Sequence, residues 1–75
     1  MARTPRLSGK DLIRLLRKNG FTVLRVRGSH HFMEHLDGHS TVVPVHAGET
    51  LGIGLLTSIL RDVEWTSEDL IARMR

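Results

Sequence analysis

Residues 21–46 read FTVLRVRGSHHFMEHLDGHSTVVPVH, and this stretch decides the fold. Phe21–Arg27 is rich in β-branched and aromatic residues and runs into Gly28-Ser29, a tight-turn pair. His30–Leu36 forms a second run, closed by the hairpin signal Asp37-Gly38. His39–His46 forms the third. Pro44 has no N–H to donate, which puts this strand at a sheet edge or Pro44 near the strand's own end. The pattern predicts an antiparallel three-stranded meander that needs an apolar cover on one face.

The cover is written on both sides of the meander. Upstream, Ser8 is an N-cap with Asp11 as its capping-box partner, and Gly20 stops the helix. Leu12, Leu15 and Leu16 share one face, while Arg14, Arg17 and Lys18 make the other cationic. Downstream, Leu51, Ile53, Leu55, Leu56, Ile59, Leu60 and Val63 include the spacing of a buried helix face. Gly52 and Gly54 weaken its first turn, so this helix is expected to be firm only from about Leu55. Thr66 opens a last helix with Asp69 at capping-box distance and Leu70, Ile71 and Met74 turned inward. The fold class is α+β in the order α-β-β-β-α(-α), with the helices on one face of the sheet. That order is the topology of the double-stranded-RNA-binding domain.

The 75 residues make one domain, spanning 1–75, with residues 1–6 expected as a flexible basic arm. A chain this short buries only about 60% of its unfolded surface. There is no cysteine, which excludes a disulfide framework and thiolate metal sites and fits a reducing cytoplasm. No apolar run is long enough for a membrane span or a signal-peptide core, so a cytoplasmic protein without membrane partners is expected. Eleven Lys+Arg against eight Asp+Glu give a net charge of +3. The charge is polarised: within residues 1–28 eight cations face the single acid Asp11, while acids gather in the C-terminal part. A basic half suits a phosphate backbone, and equally an acidic protein partner.

Five histidines are present, at positions 30, 31, 35, 39 and 46. Histidine gives and takes protons near neutral pH, so His30-His31 after a turn, beside a basic strand, suggests acid–base chemistry on a polyanion. Taken structurally, Gly28-Ser29 is a hairpin turn and His30 a satisfied strand-end residue. His35 and His39 flank the second turn and are expected to be solvated. Trp65 is expected to pack between the last two helices. A zinc site would need three or four converging ligands, and the His-x3-His spacing at 31 and 35 suits a helix better than a strand, so no metal and no cofactor are expected.

The chain resembles the HicA (YcfA-like) family of toxin mRNA interferases. The residues that carry the likeness are the Gly20-Phe21 junction after helix 1, Arg27-Gly28-Ser29-His30, Val42-Val43-Pro44-Val45-His46, the Gly48-Glu49 loop and the Ile59-Leu60 helix. Gly52-Ile53-Gly54 departs from the family pattern, being apolar where polar or cationic residues often precede the helix. The resemblance implies a metal-independent ribonuclease that acts on mRNA, held silent by a HicB-type antitoxin over its active site. It also implies a catalytic histidine just after the Gly-Ser turn. Position 30 is the match and ranks first; His31 ranks next, since some members carry the essential histidine one place later. With Phe32 taken as a core residue, strand alternation turns His30 inward and His31, Met33 and His35 to the open face.

Cleavage of RNA needs a base for the 2′-hydroxyl proton, an acid for the departing 5′-oxygen, and positive charge near the phosphorane. Arg25, Arg27 and Lys18 are assigned to phosphate. Ser29 is suited to bond a phosphate oxygen or orient the imidazole, and Gly28 to allow a positive φ or close backbone approach. His46, at the end of the third run, is a possible auxiliary group. The other class of function is a non-catalytic module that binds RNA, or docks a protein, through the same surface.

Overall fold

The expected meander is present as β1 (Phe21–Arg27), β2 (His30–His35) and β3 (Ser40–Pro44), one antiparallel sheet in the order β1-β2-β3. The structure, a computed structural model, describes residues 4–75; residues 1–3 of the expected basic arm lie outside the described residues. Of the rest of that arm, Thr4 brings its hydroxyl within 2.6 Å of the Ser67 hydroxyl. Helices α1 (Gly9–Lys18), α2 (Ile53–Asp62) and α3 (Ser67–Arg73) complete the α+β order α-β-β-β-α-α.

The helices begin where local chemistry caps them. The Ser8 hydroxyl accepts from the Asp11 N–H at 3.1 Å. Thr66 and Asp69 form a full capping box, each side chain accepting the other's backbone N–H. One expectation is corrected: α2 starts at Ile53, not at Leu55, although Gly52 supplies no side-chain cap. Buried Leu51 explains the earlier start. Its N–H donates to the Leu7 carbonyl at 2.7 Å, so the chain is already fixed when the helix begins.

The core lies between the helices and one face of the sheet. Leu12 and Leu16 of α1, Leu56 and Ile59 of α2, Leu70 of α3 and the strand residues Met33 and Val43 are all but sealed from solvent. Each such leucine contributes about 1.5–3 kcal/mol relative to an exposed one. Two members of the predicted apolar face of α2, Ile53 and Leu55, are instead exposed, as is Met74 beyond α3. They lie outside the arc that reaches the sheet. Trp65 behaves as expected, packing edge-on to Phe21 at 6.5 Å between α2 and α3, with the Arg73 guanidinium over its indole at 4.6 Å.

The facing of β2 is the largest correction. Met33 is 1% exposed and pairs with Val23 on one side and Thr41 on the other, so residues 31, 33 and 35 face the helices. His30, Phe32 and Glu34 face outward, the reverse of the alternation predicted from Phe32 as a core residue. Two features account for it. The register of β1 shifts between Val23 and Arg25, so that Val23 points to the helices and Arg25 pairs with Phe32 on the open face. Phe32 is then covered by the Arg25 guanidinium, 4.5 Å from its ring centroid, rather than by the core.

Candidate functional site

Arg27 and His30 flank a two-residue hairpin turn and are partners in the ladder. Gly28 has φ +58° while Ser29 has no positive φ, the pattern of a type II′ turn with glycine first. A side chain at position 28 would meet no steric obstacle, so the backbone conformation alone asks for glycine there. The Ser29 carbonyl accepts the Val45 N–H at 2.8 Å, which ties the turn to the chain leaving β3. His46 follows directly and is exposed.

Residues paired across an antiparallel ladder share a face. The row Arg27–His30–Pro44 and the row Arg25–Phe32–Val42 therefore lie side by side on the open face. Pro44 is both the last residue of β3 and on an edge strand, which satisfies both readings of its missing N–H. The structure thus brings together Arg25, Arg27 and His30, with Gly28 and Ser29 as the turn between them. His31 stands in the other row, between Val26 and buried Val43, and its Nδ1 lies 3.2 Å from the Ser29 carbonyl. That bond assigns the Nδ1 proton to His31 as donor. Lys18 is not brought to this face. It borders, with Leu7, Asp11, Arg14, Leu15 and Met74, a hollow on the helix side.

A groove of about 710 Å³ runs from the Arg25–Phe32 pair across Val42 to the α2 residues Leu55, Ser58 and Asp62. Asp62 Oδ2 accepts the hydroxyl of buried Thr41 at 2.9 Å. Sequence reasoning missed this groove because it assigned Phe32 and Leu55 to the core. The one available signal was Arg25, whose cationic head can stack on an outward aromatic ring.

His35 and His39 are not simply solvated, contrary to expectation. His35 packs edge-on against Phe21, centroids 5.0 Å apart, and its Nδ1 accepts the Asp37 N–H at 3.1 Å. His39 places Nδ1 2.8 Å from Asp37 Oδ1 and Nε2 3.1 Å from Glu64 Oε2. It clamps the β2–β3 hairpin to the α2–α3 junction. Hydrogen bonding to Asp37, then to Glu64, raises the His39 pKa above its ordinary value. The His39 backbone N–H, then its side chain, holds the Asp37 carboxyl below its own. A raised histidine stabilises the fold fully below about pH 6.5 and loses that contribution as pH rises through the folded value; a lowered aspartate loses its contribution in acid. The difference in melting temperature between the unmodified chain and His39→Gln is therefore expected to shrink from pH 6 to pH 9. Equal differences at both pH values would discard the charged clamp.

A three-stranded antiparallel sheet, covered by helices on one face and carrying two arginines and an imidazole on the other, defines a small α-β-β-β-α domain of the double-stranded-RNA-binding-domain type. Residues 9–65 match the family described as HicA toxin of bacterial toxin-antitoxin, and the chain belongs to that family. Membership implies a toxin of a toxin–antitoxin system, with an antitoxin as its partner. No curated protein matches the chain. No helix among the described residues is long and apolar enough to cross a membrane.

Proposed function

We propose that the protein is a metal-independent endoribonuclease that cleaves mRNA at His30 and is silenced by a HicB-type antitoxin covering that face, in the cytoplasm. The observation that carries this reading is the single outward row that pairs His30 with Arg27, next to Arg25. His30 takes the proton of a ribose 2′-hydroxyl. The freed oxygen attacks the adjacent phosphorus and expels the 5′-oxygen, which leaves with a proton from a general acid. The products are a 2′,3′-cyclic phosphate and a 5′-hydroxyl. Arg25 and Arg27 offset the charge that gathers on the phosphorane. His46, which follows Val45, the residue whose N–H holds the Ser29 carbonyl, is the group we assign to the acid role. Ser29 holds the turn through its carbonyl, leaving its hydroxyl for a phosphate oxygen.

The test is incubation of the purified chain with single-stranded RNA in excess EDTA. Cleavage is expected to persist at an unchanged rate and to leave cyclic phosphate ends. Loss of cleavage in EDTA, restored by a divalent cation, would replace the histidine route with a metal-assisted one.

A further inference from the structure

We propose that the groove between Phe32 and α2 seats an unpaired nucleobase of the RNA, next to the cleaved phosphodiester, and that Asp62 reads the edge of that base. The inference rests on the ribonuclease reading and adds a substrate subsite to it. His30 and Phe32 are two residues apart on one strand face, roughly 6.5–7 Å. A phosphate at His30 therefore puts a neighbouring base within reach of the groove.

The lining suits a base and not a phosphate. Arg25 lies over the Phe32 ring at 4.5 Å, and Leu24 and Leu55 are exposed at 60% and 43% on the same groove. Aromatic rings and guanidinium planes are the surfaces on which unstacked bases settle. Glu34, on the same strand face as Phe32, and Asp62 of α2 bring carboxylates to the groove, which repel a phosphate. Charge thus divides the groove and the face beside it, with the RNA backbone drawn to Arg25 and Arg27 and the neutral base turned toward the acids. Asp62 is held by Thr41 through Oδ2, and Oδ1 has no partner among the described residues. A carboxylate accepts from exocyclic amino groups, as carboxylates do from cytosine N4. Adenine and cytosine present such an amino group and uracil does not, so bases bearing one are favoured over uracil.

Fluorescence anisotropy with single-stranded hexamers of A, C or U tests this on the full-length His30→Ala chain, where no cleavage intrudes. A and C hexamers are expected to bind more tightly than U. Phe32→Leu is expected to weaken binding to all three on the order of tenfold. Asp62→Asn, which keeps an oxygen for Thr41, is expected to make A, C and U equal without a change in melting temperature. Unaltered RNA affinity in Phe32→Leu together with unaltered preference in Asp62→Asn would overturn the proposal. So would variants that lose a co-purifying antitoxin but bind RNA as before, since the groove would then be a protein-docking site. Failure of the ribonuclease reading is seen separately, as an unmodified chain that cleaves none of these RNAs.

Discussion

His30→Ala is expected to slow RNA cleavage by about 10²–10⁴-fold, the range a positioned general acid or base supplies. Its melting temperature is expected to match that of the unmodified chain, because His30 is exposed and fills no core space. His31→Ala is expected to behave in the opposite sense. It removes a half-buried ring packed in the Val26–Val43 row and bonded to the Ser29 carbonyl. Stability should fall measurably, while most of the cleavage by the folded fraction remains. The two variants are compared by single-turnover cleavage at matched folded concentration, with growth arrest on expression as a second readout. If His31→Ala abolishes cleavage and His30→Ala does not, the roles are exchanged. If neither affects cleavage, the chain is a binding module and the chemistry lies elsewhere.

Gly9→Ala is expected to destabilise the fold by about 3 kcal/mol, at the upper end of ordinary overpacking. Gly9 is the first residue of α1 and is buried. A Cβ there would stand 2.1 Å from the Pro44 carbonyl oxygen and 3.3 Å from the Val45 Cα. Both neighbours are backbone, so no rotamer change relieves the clash. Either α1 or the end of β3 must move, and the end of β3 is the strand that pairs with His30. The cost is large beside the on the order of 5–10 kcal/mol that holds a domain this size together. It should lower Tm by more than about 10 °C and reduce cleavage along with it. Gly54→Ala is the control: nothing lies within 4 Å of its added Cβ, and helix propensity should raise stability by up to about 1 kcal/mol. A Gly9→Ala chain that melts with the unmodified protein would remove the close approach of α1 to β3.

Much of the fold was legible because it is written locally. Ser8, Thr66 and Asp69 cap helices through atoms within three residues of one another, and Gly28-Ser29 and Asp37-Gly38 make turns from their own backbone preferences. The family likeness drew on the same local units. The groove was not legible, because its walls come from segments distant along the chain, the strands on one side and α2 on the other. The His39 clamp was hidden for the same reason. Asp37 is next door, but Glu64 arrives from the α2–α3 junction.

The sequence by itself determined the three strands, their turns, the capped helices and a short run of residues that holds the candidate chemistry. Only the tertiary structure decided which of two adjacent imidazoles meets solvent. Strand alternation fixes that His30 and His31 point opposite ways, but not which way. That choice was made by the core. Met33, sealed between Val23 and Thr41 beneath the helices, sets the phase of β2, and the register shift in β1 lets Arg25 cover the outward Phe32. Burial energy summed over long-range neighbours outweighs the preference of one large aromatic ring for the interior. It turns His30 outward, beside the arginines.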